Sequence, residues 1–96
     1  MNLNEYCKEC HKTAKEKGFW ERKREKPELL MLIVSELGEA LEADRKGDKE
    51  NFNEEIADTF IRLFDLCGYF GIDIEKEING KMIYNKGRPK LHGKKY

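Results

Sequence analysis

Apolar residues recur every three or four positions in four segments of the chain, which is the spacing of one face of an α-helix. Glycine and proline residues separate these segments and limit them. The predicted helices run from about Leu3 to Lys17, Pro27 to Lys46, Glu50 to Phe70 and Ile74 to Asn85. Gly18 follows the first helix, and Pro27 suits a first helical position, where its missing N–H costs nothing. Asp48 and Asp73 are the predicted N-caps of the last two helices.

The second and third helices carry the clearest apolar stripes. Their members, at helical spacing, are Leu30, Ile33, Val34, Leu37 and Leu41 on one helix and Phe52, Ile56, Phe60, Leu63 and Cys67 on the other. A short connection makes these two helices neighbours, so we expect the two stripes to form the core. The pattern therefore predicts an all-α fold, an antiparallel four-helix bundle.

The size of the chain indicates one domain that gains from association. Its 96 residues, 39% of them apolar, form a single domain over 1–96, since a second core would need about 100 residues more. A chain this short buries only about 60–65% of its unfolded surface, so a monomer is marginally stable and association would help. It has no apolar run of about 20 residues and no signal-peptide layout at its start, so we expect a cytoplasmic protein without membrane contact.

Charge is distributed unevenly although the formal net charge is zero. Lys and Arg minus Asp and Glu give +3 for residues 1–26, −9 for 27–80 and +6 for 81–96. A domain that binds a nucleic-acid polymer usually has a basic surplus overall, so no such partner is expected. An acidic middle with a basic tail at 86–96 suits metal cations and a polyanion, whereas the alternative is that the charges only solvate helix surfaces.

Two pairs of carboxylates border the predicted core. Glu36 and Glu39 lie about 60° apart on the second helix, and Glu55 and Asp58 are similarly related on the third. If the helices pack antiparallel, four carboxylates converge, which is costly unless a cation neutralises them. An all-oxygen set favours Mg²⁺, with Mn²⁺ as a second possibility. The alternative is that individual members cap a helix, pair with Arg62 or face solvent.

The basic end of the chain offers groups that bind phosphate. Lys81 and Asn85 share a face of the last helix, and Lys86 and Arg88 follow closely. The alternative is a tail that only increases solubility. Trp20, after Phe19, either stacks on a nucleotide base or closes the core.

The sequence Cys7-Lys-Glu-Cys10-His11 matches the haem attachment pattern and also the start of a zinc site. Haem attachment needs export, and zinc lacks a fourth ligand apart from the distant Cys67 or His92. We expect reduced thiols on a helix surface.

Glu36-Leu-Gly-Glu39, fifteen residues and then Glu55-Ile-Ala-Asp58 form a pattern that resembles the MazG-type branch of the all-α nucleoside triphosphate pyrophosphatases. The resemblance includes Lys17-Gly18-Phe19-Trp20 and the C-terminal Lys81, Asn85, Arg88-Pro89 and His92-Gly93-Lys94-Lys95. It implies hydrolysis of nucleoside triphosphates to monophosphate and pyrophosphate with Mg²⁺. It further implies that the four carboxylates hold the metal and that Lys81, Asn85 and Arg88 bind the phosphates. It also implies a homodimer or homotetramer in which one subunit completes the site of another, and His11 is then expected near the nucleotide.

The chemistry expected from the residues agrees with this resemblance. A water polarised by a carboxylate such as Glu39, with Glu36 beside it, attacks the α phosphorus of the substrate. The chain has neither a GxxxxGK phosphate loop nor an apparent Ser/His/Asp arrangement. The alternative function is a non-catalytic helical module that binds a nucleotide or a partner through its basic tail. No residue fixes the preferred base.

Overall fold

The computed structural model describes residues 1–90. These residues form four α-helices and no strand. The helices are α1 (Leu3–Glu16), α2 (Lys26–Arg45), α3 (Lys49–Phe70) and α4 (Ile74–Lys86). Each predicted boundary lies within one residue of the observed one, so the all-α, four-helix prediction is confirmed. In this part of the chain, no helix combines the length and the apolar character that crossing a membrane requires. His92 and the rest of residues 91–96 lie outside the described residues.

Side-chain caps begin the last two helices as predicted. The Asp48 carboxylate accepts a hydrogen bond from the backbone N–H of Asn51 (3.0 Å), and Asp73 accepts one from Lys76 (3.2 Å). These bonds satisfy N–H groups that have no partner inside the helix. α3 ends at Gly71, whose φ of 66° lies in the left-handed region that glycine adopts without strain.

α3 is the central helix, with α1 and α2 both packed along it. The predicted neighbourhood of α2 and α3 is therefore confirmed. α4 contacts chiefly the start of α1, where the Asn4 side chain donates a hydrogen bond to Asp73 (2.9 Å). No residue of α4 is buried. The last helix thus lies beside the other three and adds little to their core.

The predicted core of α2 and α3 is wrong in part. Leu30, Val34, Leu37 and Leu41 of α2 are each about half exposed, as is Phe60 of α3. The buried residues of α2 are Leu29, Ile33, Ala40 and Ala43, a stripe that lies mostly one residue earlier along the helix. α2 therefore carries two adjacent apolar stripes, and the one that contains the small alanines packs against α3. The other stripe and Phe60 form an apolar face with little cover from their own chain.

α1 and α3 make their closest approach at Gly68. A Cβ atom added there would lie 2.6 Å from the backbone oxygen of Cys7 and 2.7 Å from Cβ of His11. The two helices are therefore in contact without a side chain between them, which only glycine allows. Cys7 and Cys67 are both buried beside this crossing.

Candidate functional site

Three carboxylates from two helices meet at the contact between α2 and α3. One oxygen each of Glu36, Glu39 and Glu55 lies within 4.8 Å of the other two. Glu36 and Glu39 share one face of α2, and the packing of α3 brings Glu55 opposite them. We call these three residues the acidic cluster. Like charges at this spacing repel one another, so the cluster raises the free energy of the ionised protein unless a cation or a proton intervenes.

Glu55 is the buried member of the acidic cluster. Its relative exposure is 8%, and within residues 1–90 its Oε2 atom has no hydrogen-bond partner. A hydrogen bond shared with Glu39, then burial, then the charge of Glu39 raise the pKa of Glu55 to about 7, and Asp58 and Glu36 add to this rise. In the ionised state no N–H or O–H of the described residues reaches Oε2. These residues alone can satisfy Glu55 only by retaining a proton between it and a neighbouring carboxylate.

The other predicted metal ligands differ in their surroundings. Glu36 is half-buried and accepts a hydrogen bond from Nε of Arg62 at 3.0 Å, which is the ion pair foreseen as an alternative. Glu39 is exposed. Asp58 is exposed too and lies close enough to Glu55 to affect its pKa, but it is not among the three residues that meet within 4.8 Å.

The acidic cluster has the donor set of a hard divalent cation. All its donors are carboxylate oxygens, without a sulfur or an imidazole nitrogen, which suits Mg²⁺ or Mn²⁺. The unpartnered Oε2 atom of Glu55 is the kind of buried acceptor that a cation would satisfy. The residues present therefore fit a divalent metal ion.

A cleft of about 640 Å³ opens beside the acidic cluster, between α1 and α3. Glu36 and Asp58 line one part of it, and its apolar wall includes Tyr6, Phe19 and Ile61. Most of the exposed lining is apolar, with a few charged groups at one side. Pockets for nucleotides and other small ligands commonly have this size and composition. The cleft thus offers an apolar space for a base next to carboxylates suited to a metal.

A second buried carboxylate, Asp65, organises the aromatic residues near the cleft. It is 8% exposed and lines the cleft. One oxygen of Asp65 lies 2.8 Å from Nδ1 of His11 and accepts a hydrogen bond from Nε1 of Trp20 (3.0 Å). Trp20 also stacks on Tyr69, with the ring centroids 4.0 Å apart. His11 and Trp20, both predicted to bind substrate, are therefore held together by Asp65, and neither lines the cleft.

The predicted phosphate-binding residues lie on and after α4. Lys81, Asn85 and Lys86 are exposed on this helix, and Arg88 follows it. The Lys81 ammonium and the Arg88 guanidinium both lie over the ring of Tyr84, at 4.9 and 5.1 Å from its centroid. None of the four residues lines the cleft of its own chain. The structure therefore does not bring them to the cleft within one chain.

The Cys-x-x-Cys-His motif is divided among different environments. Cys7 is buried at the α1–α3 crossing, Cys10 lines the cleft and His11 contacts Asp65. Burial, together with Cys67, raises the pKa of the Cys7 thiol to about 11. A thiol with such a pKa is a poor metal ligand and nucleophile, because both roles require the thiolate.

A family model for phosphoribosyl-ATP pyrophosphohydrolase matches residues 3–79, which is most of the chain. The chain belongs to the phosphoribosyl-ATP pyrophosphohydrolase family. Members of this family are all-α domains of the MazG-like superfamily, and membership implies a nucleotide pyrophosphohydrolase activity. The predicted MazG branch itself is not confirmed. Comparisons with curated proteins and with solved structures gave no significant match.

The family match includes the acidic cluster, Asp65 and the cleft lining apart from Met1, but it ends before Lys81. The matched segment thus contains the residues predicted to hold a metal, whereas the residues predicted to bind phosphate lie after it. The basic residues of α4 rest on the sequence pattern alone.

Two residues beside the cleft were not predicted as functional. Asp65 lies seven residues after Asp58 and one turn beyond Ile61. Its helical position, on the inner side of α3, is the one feature of the sequence that could have indicated a buried acidic residue here. The sequence pattern includes Phe19 in the stretch Lys17-Gly18-Phe19-Trp20 but gives it no role of its own. The sequence does not indicate which of two adjacent aromatic residues faces the cleft, because the loop between α1 and α2 has no periodicity.

Proposed function

We propose that this member of the phosphoribosyl-ATP pyrophosphohydrolase family is a Mg²⁺-dependent enzyme that cleaves a nucleoside triphosphate between its α and β phosphates. The products are a nucleoside monophosphate and pyrophosphate. Mn²⁺ is expected to replace Mg²⁺. The observation that carries the proposal is the unpartnered, buried oxygen of Glu55 within three converging carboxylates, next to a cleft of nucleotide size.

In the proposed reaction Glu36, Glu39 and Glu55 would hold the metal, with Asp58 at the edge of the site. When bound, the metal ion would supply positive charge that neutralises these carboxylates and the phosphate oxygens and increases the acidity of water. Glu39 is the proposed base because it is the exposed member of the acidic cluster and can accept a proton from water. Water then bonds to the α phosphorus, the bond to the bridging oxygen breaks, and pyrophosphate leaves with that electron pair.

The apolar wall of the cleft supports binding of the base. Phe19 and Tyr6 present aromatic surface there, and the Arg24 guanidinium lies 3.8 Å from the centroid of the Phe19 ring. Arg24 also donates a hydrogen bond to the Phe19 backbone oxygen (2.6 Å), which fixes the loop that carries this ring. The substrate class in the family name, phosphoribosyl-ATP, has the same triphosphate and a larger base portion, so it is the principal competing substrate.

A substrate panel tests this proposal. Purified protein with Mg²⁺ is incubated with ribo- and deoxyribonucleoside triphosphates and with phosphoribosyl-ATP, and pyrophosphate and the nucleotide product are identified. We expect pyrophosphate release that requires metal. Glu39→Gln and Asp58→Asn should abolish it while the helices remain folded, whereas Glu42→Gln and Glu54→Gln, exposed neighbours on the same helices, should retain it. Tight nucleotide binding without any product would instead favour the non-catalytic module.

We also propose that a second copy of the chain covers the apolar face formed by Leu30, Val34, Leu37, Leu41 and Phe60. These side chains are 47–53% exposed, and their burial is favourable at about 25 cal/mol per Å². The segment of net charge −9 and the C-terminal segment of +6 are complementary, which favours a copy of the same chain as the occupant. In such a dimer Lys81, Asn85, Lys86 and Arg88 would contribute to the partner's site.

Light scattering after size-exclusion chromatography tests this assembly. Leu37→Glu on the apolar face should convert the dimer to a monomer, and Leu30→Ala should weaken it less. Lys8→Glu, an exposed change on α1, is the control and should leave the mass unchanged. A wild-type protein that is monomeric at all concentrations would contradict the proposed assembly.

A further inference from the structure

The cleft contains two basic residues among the described part of its lining, Lys17 and Arg62. A nucleoside triphosphate carries about four negative charges near neutral pH, and carboxylates beside the cleft would repel them. Metal binding neutralises part of this charge, and additional cations are needed at the phosphates. The basic residues of α4 do not line the cleft of their own chain. Of these two basic residues, Arg62 is the one that contacts a member of the acidic cluster, Glu36.

Arg62 lies one turn after Asp58 on α3 and bridges the acidic cluster and the cleft. Its Nε atom donates to Glu36 at 3.0 Å, while its side chain remains 35% exposed. Within residues 1–90 the two terminal amino groups of the guanidinium have no hydrogen-bond partner. The guanidinium carbon is 6.0 Å from the centroid of the Phe19 ring, which lines the same cleft. A planar group with two uncommitted amino groups is suited to bidentate contact with phosphate oxygens.

Glu36 is shared between Arg62 and the proposed metal position. A divalent cation bound by the acidic cluster would compete with Arg62 for this carboxylate, because both are positive and both need its oxygens. We propose that Arg62 is a phosphate-binding residue, held beside Glu36 until a divalent cation takes up that carboxylate and frees the guanidinium for the substrate. This inference rests on the function proposed above. Phosphate binding, which the sequence pattern assigned only to the end of the chain, is thereby also assigned to a residue of α3.

Two binding measurements on the full chain test the role of Arg62. The first is Mn²⁺ affinity without nucleotide, and the second is the affinity for inorganic triphosphate and for α,β-methylene-ATP at saturating Mn²⁺. Arg62→Gln should bind Mn²⁺ about fivefold more tightly, because a competing positive charge is removed. The same variant should bind both triphosphates about tenfold more weakly or worse.

Two further variants separate this role from a structural one. Arg62→Lys keeps the charge but not the planar geometry, so its Mn²⁺ affinity should match the wild type and its triphosphate affinity should be intermediate. Arg22→Gln removes an exposed arginine whose partner is Glu28, away from the cleft, and should change neither affinity. Thermal unfolding of each variant reports whether the fold is retained.

Triphosphate affinity of Arg62→Gln within about twofold of the wild type would overturn the inference. So would Mn²⁺ affinity that falls together with thermal stability, since that result indicates a structural ion pair. Failure of the proposed function has a different signature. If the wild type releases no pyrophosphate but the Arg62 variants show the expected opposite changes in affinity, only the proposed function is contradicted. If the wild type is active and Arg62→Gln retains its KM, only the role of Arg62 is contradicted.

Discussion

Two carboxylates on α3, Glu55 and Asp65, have the same exposure of 8% and opposite surroundings. Asp65 accepts a hydrogen bond from Trp20 and contacts His11, so its own chain stabilises it. Glu55 has an unpartnered oxygen and faces Glu36 and Glu39. Burial of an acidic side chain therefore does not by itself identify a ligand site. The deciding property is whether the chain supplies partners for the carboxylate oxygens.

Glu55→Gln should have the largest effect, because it should lower activity and raise the stability of the metal-free protein. Because the variant removes one negative charge from the acidic cluster, pyrophosphate release should fall on the order of 10³-fold. The melting temperature without metal should rise, since repulsion among the carboxylates is relieved. Addition of Mg²⁺ should then no longer stabilise the protein. Calorimetry with and without Mg²⁺ measures both effects, and Glu54→Gln is the matched control.

Asp65→Asn should act in the opposite way on stability. The amide has one acceptor oxygen and presents an NH₂ group where His11 and Trp20 require an acceptor. We expect unfolding to become easier by about 3 kcal/mol, with and without Mg²⁺. Chemical denaturation measures this change. Equal responses of the Glu55 and Asp65 variants to metal would remove the distinction between the two carboxylates.

Trp20→Phe isolates the contribution of one hydrogen bond to the stability of Asp65. The substitution keeps a ring that can stack on Tyr69 and removes the N–H that contacts Asp65. The free energy of unfolding should fall by about 2 kcal/mol, which is less than for Asp65→Asn because His11 remains in place. Denaturation of the double variant tests whether the two changes act through one hydrogen bond. A loss equal to the sum of the single losses would contradict that view.

The smallest expected effect is a pH dependence of the metal-free protein. The pKa of Glu55 is raised from 4.5 to about 7 in the folded chain, so the folded state favours the protonated form. Its contribution to stability is fully present below pH 4.5 and is lost as the pH rises through about 7. Stabilisation by Mg²⁺ should therefore be greater at about pH 8 than at about pH 5. Melting curves that show no such difference, or an equal difference in Glu55→Gln, would contradict the assignment.

The sequence predicts helices and their ends well because caps and glycines act locally. Asp48 and Asp73 form the expected N-caps, and α3 ends before Gly71. Periodicity also places Glu36, Glu39 and Glu55 on facing sides of α2 and α3. These features depend on residues at most a few positions apart or on two helices joined by a short turn.

Periodicity does not show which apolar stripe of a helix packs against the neighbouring helix. α2 has two adjacent apolar stripes, and the longer side chains of Leu37 and Leu41 suggested the wrong one as the core. The contacts of Asp65 with His11 and Trp20 join residues 54 and 45 positions apart, through a loop without a repeating pattern. No local rule relates such residues. The exposure of α4 likewise depends on packing that its own sequence does not reveal.

The contact at Gly68 has a consequence for the width of the cleft. α1 provides one wall of the cleft through Tyr6 and Cys10, and α3 provides the opposite wall through Ile61. Since backbone atoms of α1 lie where a methyl group would stand on residue 68, alanine at this position would push the two walls apart. The distance between the two walls is thus set by a residue that does not line the cleft, so a substitution at residue 68 should change which ligands fit without changing any group that contacts them.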